Sequence, residues 1–266
     1  MNINSWLLRE PSGSHRFRLY CFCYAGGNAL CFKPWQKLLG PEIEVCAIQL
    51  PGRGARRGEA PYDSMPALVE TLAHVIGRDS KLPFAFFGHS LGGLLAFELA
   101  RYCQRYYLPM PKHLFASGCS APQHRSPSKN LHKLSDDDLI DALREYNGTP
   151  PEILAHRELM ALVLPTIRAD FSLAENYQHK TSLPLPIPIT VLAGTLDDRS
   201  SPDQAEGWKK ETTNACRVQW FEGDHFFINP EQAAVVKCIG DELAKLIPNQ
   251  ALSSTSSSLE KVDLTA

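Results

Sequence analysis

The feature that most constrains this chain is a short apolar run, Phe84 to Phe87, that leads through Gly88-His89-Ser90-Leu91-Gly92 into a helical pattern, Leu94, Leu95, Phe97, Glu98 and Leu99. A serine at a tight strand-to-helix turn has its hydroxyl pushed clear of the backbone. The flanking glycines are required because side chains there would strike the neighbouring strand and helix. The helix amino end adds free N–H groups that favour a developing anion. The pentapeptide alone is compatible with an ordinary glycine-flanked turn; its setting between strand and helix makes Ser90 a candidate nucleophile.

The rest of the chain repeats the same rhythm. Apolar, β-branched or aromatic runs at Phe17 to Cys23, Ile43 to Leu50, Phe84 to Phe87, Leu114 to Ser117, Ile187 to Ala193 and Arg217 to Phe221 alternate with helical patterns. Helix starts are marked by Ser64 with Pro66, by Ser201-Pro202 with Gln204, and by Asn229-Pro230 with Gln232. Continuous apolar runs joined by helices predict an α/β fold with a mostly parallel central sheet flanked by helices. One stretch, about 122–180, has no convincing strand but has helical patterns from Ser135 and through Leu159 to Tyr177. An insertion there would sit over the carboxyl ends of the strands, where such sheets bind ligands, and is read as a helical lid. The expected organisation is one domain over 1–248, followed by a disordered Ser-rich tail over 249–266.

A serine hydroxyl needs a base, and in folds with this turn the acid and the histidine follow the serine in that order. His15, His74 and His89 come too early. His113 begins a strand, and His124, His132, His156 and His179 fall in or beside the insertion. His225 remains, in the loop after the last strand. The loop after the penultimate strand, Gly194-Thr195-Leu196-Asp197-Asp198, supplies the acid; either aspartate could face the ring, and Asp197 is preferred. Gly26-Gly27, after the first long strand, would let main-chain N–H groups approach a substrate, so Tyr24 and Leu91 are the expected oxyanion-hole donors. Arg53, Arg56 and Arg57 leave the second long strand in a glycine-rich loop, where they would meet a phosphate or an acidic partner, or simply be solvated.

Composition narrows the partners. Lys plus Arg number 27 against 29 for Asp plus Glu, so no basic excess points to nucleic acid or an anionic membrane. The 8 cysteines include no C-x-x-C pair and fall partly in apolar runs, as expected of small buried hydrophobes in a reducing compartment rather than of disulfides or a zinc site. Met1 to Glu10 lacks a signal-like pattern, and a cytoplasmic location is expected.

Together, Phe22 to Gly27, Leu50-Pro51-Gly52-Arg53-Gly54, Phe87 to Gly93, Leu164 to Phe171 before Tyr177, Gly194 to Asp197, and Gly223-Asp224-His225-Phe226-Phe227 resemble the stand-alone type II thioesterases of non-ribosomal peptide and polyketide synthases. The resemblance implies an α/β-hydrolase fold with a helical lid, and Asp197 as the acid. It also implies hydrolysis of acyl groups from the phosphopantetheine thiol of a carrier protein, as editing in antibiotic and other secondary-metabolite synthesis; a monomer without a cofactor of its own is expected. Cys23 departs from the family, which usually has proline there. An acyl-coenzyme A thioesterase, a general carboxylesterase or acyltransferase, and a non-catalytic carrier-binding module are the competing expectations. Preference for oxygen esters, or an unreactive Ser90, would point to the rivals.

Overall fold

The computed structural model describes residues 5–79, 81–125, 128–146 and 148–247; the expected tail at 249–266 lies outside them. In chain order the elements are β1 (Leu7–Leu8), β2 (Phe17–Phe22), α1 (Trp35–Leu39), β3 (Ile43–Ile48), α2 (Met65–Asp79), β4 (Phe84–His89), α3 (Leu91–Arg105) and β5 (Leu114–Ser117). They continue with α4 (Asp136–Tyr146), α5 (Pro151–Leu154), α6 (Arg157–Glu175), β6 (Ile189–Gly194), α7 (Pro202–Glu206), β7 (Cys216–Phe221) and α8 (Gln232–Ala244). The sheet runs β1-β3-β2-β4-β5-β6-β7, parallel except for β1 against β3. β1 has no counterpart among the expected strands, because two residues are too few to show a period.

Alternation along the central strands divides the core between two faces. Tyr20, Phe22, Phe84 and Phe86 turn toward α2 and α3, while Phe17, Leu19, Cys21 and Phe87 pack with Trp35 and with Val235 and Ile239 of α8. The capping box at Ser201 and Gln204 is present in full. Asn229-Pro230, by contrast, does not cap α8. Glu231 precedes that helix without a side-chain cap, because Asn229 and Glu231 still donate their N–H groups to the turn at Phe226 and Phe227.

His113 enters β5 buried, stacked on Phe115 at 4.3 Å, with its Nε2 2.9 Å from Thr190 Oγ1. Burial pushes its pKa down to about 4 from the ordinary 6.5. With the folded value below the unfolded one, the unfolded chain takes up the proton first as pH falls. The contribution of neutral His113 is therefore intact above 6.5 and is lost between there and about 4. At pH 5 the loss should reach about 2 kcal/mol. Denaturant titrations at pH 7 and pH 5 check this, since His113→Gln should lose less stability over that interval than the native chain.

Between β5 and β6 the described residues form α4, α5, α6 and short 3-10 turns, with a small core of their own around Leu139, Leu143, Met160, Leu164 and Phe171. This segment reaches the loops at the carboxyl ends of the strands. Thr166 Oγ1 donates to the carbonyl of Gly52 at 2.7 Å, and the Phe226 ring packs so closely on Gly148 that a Cβ there would stand 2.3 Å from it.

Candidate active site

β4 ends at His89 and α3 begins at Leu91, so Ser90 alone makes the turn, with φ 57° and ψ −117°. A non-glycine residue held in that region carries on the order of 1–3 kcal/mol of strain, sustained here by its surroundings. Its N–H donates to the carbonyl of Ser117 at 2.8 Å. A Cβ on Gly88 would lie 2.0 Å from the Gly92 carbonyl oxygen, and one on Gly92 would lie 2.1 Å from that of Phe22. The two glycines therefore let α3 press against β4 and the end of β2, which brings Leu91 beside the loop that begins at Tyr24. As the first residue of α3, Leu91 has an N–H without an intrahelical acceptor.

The histidine and the acid arrive on two loops locked to each other. Thr195 and Leu196 donate their N–H groups to the carbonyls of Phe221 and Gly223, both at 2.9 Å, and a Cβ on Gly194 would lie 2.5 Å from the Asp224 carbonyl oxygen. Phe227, fully buried and stacked on Phe221, anchors the loop that carries His225. His225 Nε2 stands 2.9 Å from Ser90 Oγ, and His225 Nδ1 stands 2.9 Å from Asp197 Oδ2. The other Asp197 oxygen accepts the Arg199 N–H at 3.0 Å. Burial works to raise the Asp197 pKa, but the hydrogen bond and charge of His225 outweigh it and hold the carboxyl below its ordinary range. Asp197 thus stays an anion and fixes Nδ1 as the protonated nitrogen, leaving Nε2 free to accept the serine proton.

The remaining candidates have other employment. Asp198 is 88% exposed and its nearest cation is Arg199 at 3.9 Å. The Asp224 carboxylate accepts the Phe226 N–H at 2.8 Å, closing its own turn. His132 pairs with Glu175, His156 caps α6, and His179 faces Glu211. His89 is fully buried, its Nδ1 2.9 Å from Ser117 Oγ and its ring 5.1 Å from that of His225. Burial and the neighbouring His225 hold its pKa well below the ordinary value, so it puts no positive charge beside His225.

The sequence reading missed the partner of Arg53. That guanidinium is neither solvated nor aimed at a ligand; it grips both Asp170 oxygens at 2.7 Å in a buried fork. Asp170 Oδ2 also accepts the Gly26 N–H at 2.7 Å, and Arg53 donates to the Gly27 carbonyl at 3.1 Å. Gly26, at φ 76°, lies under Ile167 of α6. A buried ion pair from two distant segments therefore sets the backbone of the loop after β2. Arg56 is also internal, donating to Glu59 and stacking on Trp6 at 3.9 Å. Among the described residues no His, Cys, Asp and Glu side chains cluster as a metal site, and no disulfide joins the cysteines.

A serine hydroxyl within reach of an imidazole that a carboxylate orients makes an arrangement suited to acyl transfer. Known proteins similar to this chain are thioesterases or belong to antibiotic biosynthesis. The family model described as a thioesterase domain matches residues 17–243. The gramicidin S biosynthesis protein GrsT of Aneurinibacillus migulanus is 38% identical over 242 residues, covering 91% of this chain and 94% of its own. The type II thioesterase BorB from the borrelidin biosynthetic cluster superposes with a TM-score of 0.83 at 32% identity, covering 90% of this chain and 98% of its own. RedJ, the thioesterase of the prodiginine pathway in Streptomyces coelicolor, does so with 0.81 at 36% identity, over 86% and 91%.

Proposed function

This chain belongs to the thioesterase family, and from that premise we propose that it frees acyl groups from the phosphopantetheine thiol of carrier proteins through an acyl-Ser90 intermediate. It is a type II thioesterase of the kind found in non-ribosomal peptide and polyketide clusters, a hydrolase of the α/β-hydrolase fold. The observation that most supports the residue assignment is the unbroken chain Ser90 Oγ, His225, Asp197, with both contacts at 2.9 Å.

In the proposed reaction His225 Nε2 takes the Ser90 proton as the hydroxyl attacks the thioester carbonyl. Asp197 steadies the imidazolium that forms. The N–H groups of Leu91 and Tyr24 hold the oxyanion, each worth on the order of 3 kcal/mol in such sites. Collapse breaks the carbon–sulfur bond and expels the pantetheine thiol, which receives the proton from His225. Water, deprotonated by the same nitrogen, then releases the acid. Phosphopantetheine enters as part of the substrate, and these steps use no other group.

The helices between β5 and β6 serve in this reading as a lid. The partner is a carrier domain rather than nucleic acid or a membrane, and the enzyme acts as a monomer in the cytoplasm. No helix among the described residues is long and apolar enough to cross a membrane. Incubation with acyl-loaded carrier protein, followed by mass spectrometry of the carrier, tests the whole reading. The acyl mass should disappear and leave free pantetheine. Retention of that mass by a protein whose Ser90 reacts with a fluorophosphonate would overturn the choice of substrate.

The Arg53–Asp170 pair gives a further expectation. Asp170→Asn removes half of a buried ion pair and weakens the acceptor for Gly26, so the donor at Tyr24 loses its fixed position. We expect kcat to fall about 30-fold with little change in KM, and stability to fall by about 3 kcal/mol. Steady-state kinetics and denaturation of the same preparation check both.

A further inference from the structure

Cys23 and Cys31 meet beside the proposed oxyanion loop, their sulfurs 3.5 Å apart. Cys23 is buried at the end of β2, and its thiol donates to the Asn28 carbonyl at 2.9 Å. Cys31 is half-buried in a 3-10 turn, Ala29–Phe32, and donates its N–H to that same carbonyl at 3.3 Å. The turn lies near the surface, with neighbouring Leu30 57% exposed. Residues 24–30, between the two cysteines, carry the Tyr24 N–H and the Gly26 and Gly27 contacts to Asp170 and Arg53.

From this juxtaposition we infer that Cys23 and Cys31 are an oxidative modification site, which peroxide converts to a disulfide that distorts the oxyanion loop and slows hydrolysis. The half-buried Cys31 is the first to meet oxidant. Burial and the nearby Cys31 hold the Cys23 thiol well above its ordinary range, so it stays protonated and is not the sulfur that peroxide oxidises first. Hydrogen peroxide oxidises the Cys31 thiol to a sulfenic acid and is reduced to water. The Cys23 sulfur then attacks the Cys31 sulfur and forms the S–S bond, and the sulfenic hydroxyl leaves with the Cys23 proton as a second water. Two thiols have lost two electrons and two protons to one peroxide.

Geometry links the bond to turnover. A disulfide spans about 2.05 Å, so the sulfurs must close by about 1.5 Å from the observed 3.5 Å, and Cys23 gives up its hydrogen bond to Asn28. A shift of that size one residue from Tyr24 is expected to reduce kcat by about tenfold or more. This loss rests on the oxyanion role proposed for Tyr24; formation of the bond does not.

The full chain, treated with hydrogen peroxide and then alkylated, tests both parts. Cys21, Cys23 and Cys31 share the tryptic peptide Leu19–Lys37. That peptide should lose the mass of two hydrogens in the native chain and in Cys21→Ser, and keep them in Cys31→Ser. Turnover of an acyl-carrier protein should fall with the same time course, recover with dithiothreitol, and stay insensitive to peroxide in Cys31→Ser. Recovery of Cys23 and Cys31 as separate thiols or sulfinic acids would overturn the site. A complete disulfide with unchanged turnover would overturn its effect on hydrolysis. A reduced enzyme that hydrolyses no acyl-carrier would count against the proposed substrate and leave the mass test standing.

Discussion

Ser90→Ala should lower hydrolysis of an acyl-carrier thioester by roughly 10⁴- to 10⁶-fold, while the protein stays folded and still binds its carrier. The substitution removes the atom that would form the proposed covalent intermediate and leaves the contacts that hold the turn. The hydrogen bond pinning the turn comes from the Ser90 main-chain N–H to Ser117, and alanine keeps it. What remains is the oxyanion hole acting on an ordinary water. Mass spectrometry of the carrier measures the loss, and reaction with a fluorophosphonate should vanish with it. Turnover within about tenfold of the native enzyme would place the nucleophile elsewhere.

Asp197→Asn should cost roughly 10³- to 10⁴-fold in kcat, and Asp198→Asn should change it by less than about twofold. An asparagine at 197 keeps the shape but replaces an anion that holds Nδ1–H with a group that can donate instead. The imidazole then turns its proton toward Ser90 and cannot act as base. Asp198 has no contact with the ring; its carboxylate is 88% exposed, beside Arg199. Kinetics of the two variants side by side separate the residues, and the reverse ranking would reassign the acid.

The meeting of Ser90, Asp197 and His225 was legible because glycine placement and chain order constrain each of them. Gly88 and Gly92 announce the turn through a clash any side chain would create, and chain order leaves one histidine in a suitable loop. The resemblance then separated Asp197 from Asp198, which the residues alone left open. Contacts between distant segments that no chain-order rule covers were not legible. Arg53 and Asp170 are 117 positions apart, and nothing in a glycine-rich loop or an amphipathic helix says that its charge will be buried against the other. The same holds for Arg56 on Trp6 and for the meeting of Cys23 with Cys31, whose spacing matches no familiar motif. Strand β1 escaped because two residues carry no period, and α8 begins later than Asn229-Pro230 suggests because that pair is used by the preceding turn.

Helix α6 carries a consequence for how acyl chains enter. Thr166 is tied to Gly52, Asp170 to Arg53 and Gly26, and Ile167 rests on Gly26, so this helix is part of the wall that shapes the loop after β2. Swinging it outward would release the backbone of Gly26 and Gly27, and with it the donor proposed at Tyr24. In the proposed lid the moving part is therefore α4 and α5, ahead of His156, while α6 is its fixed doorpost.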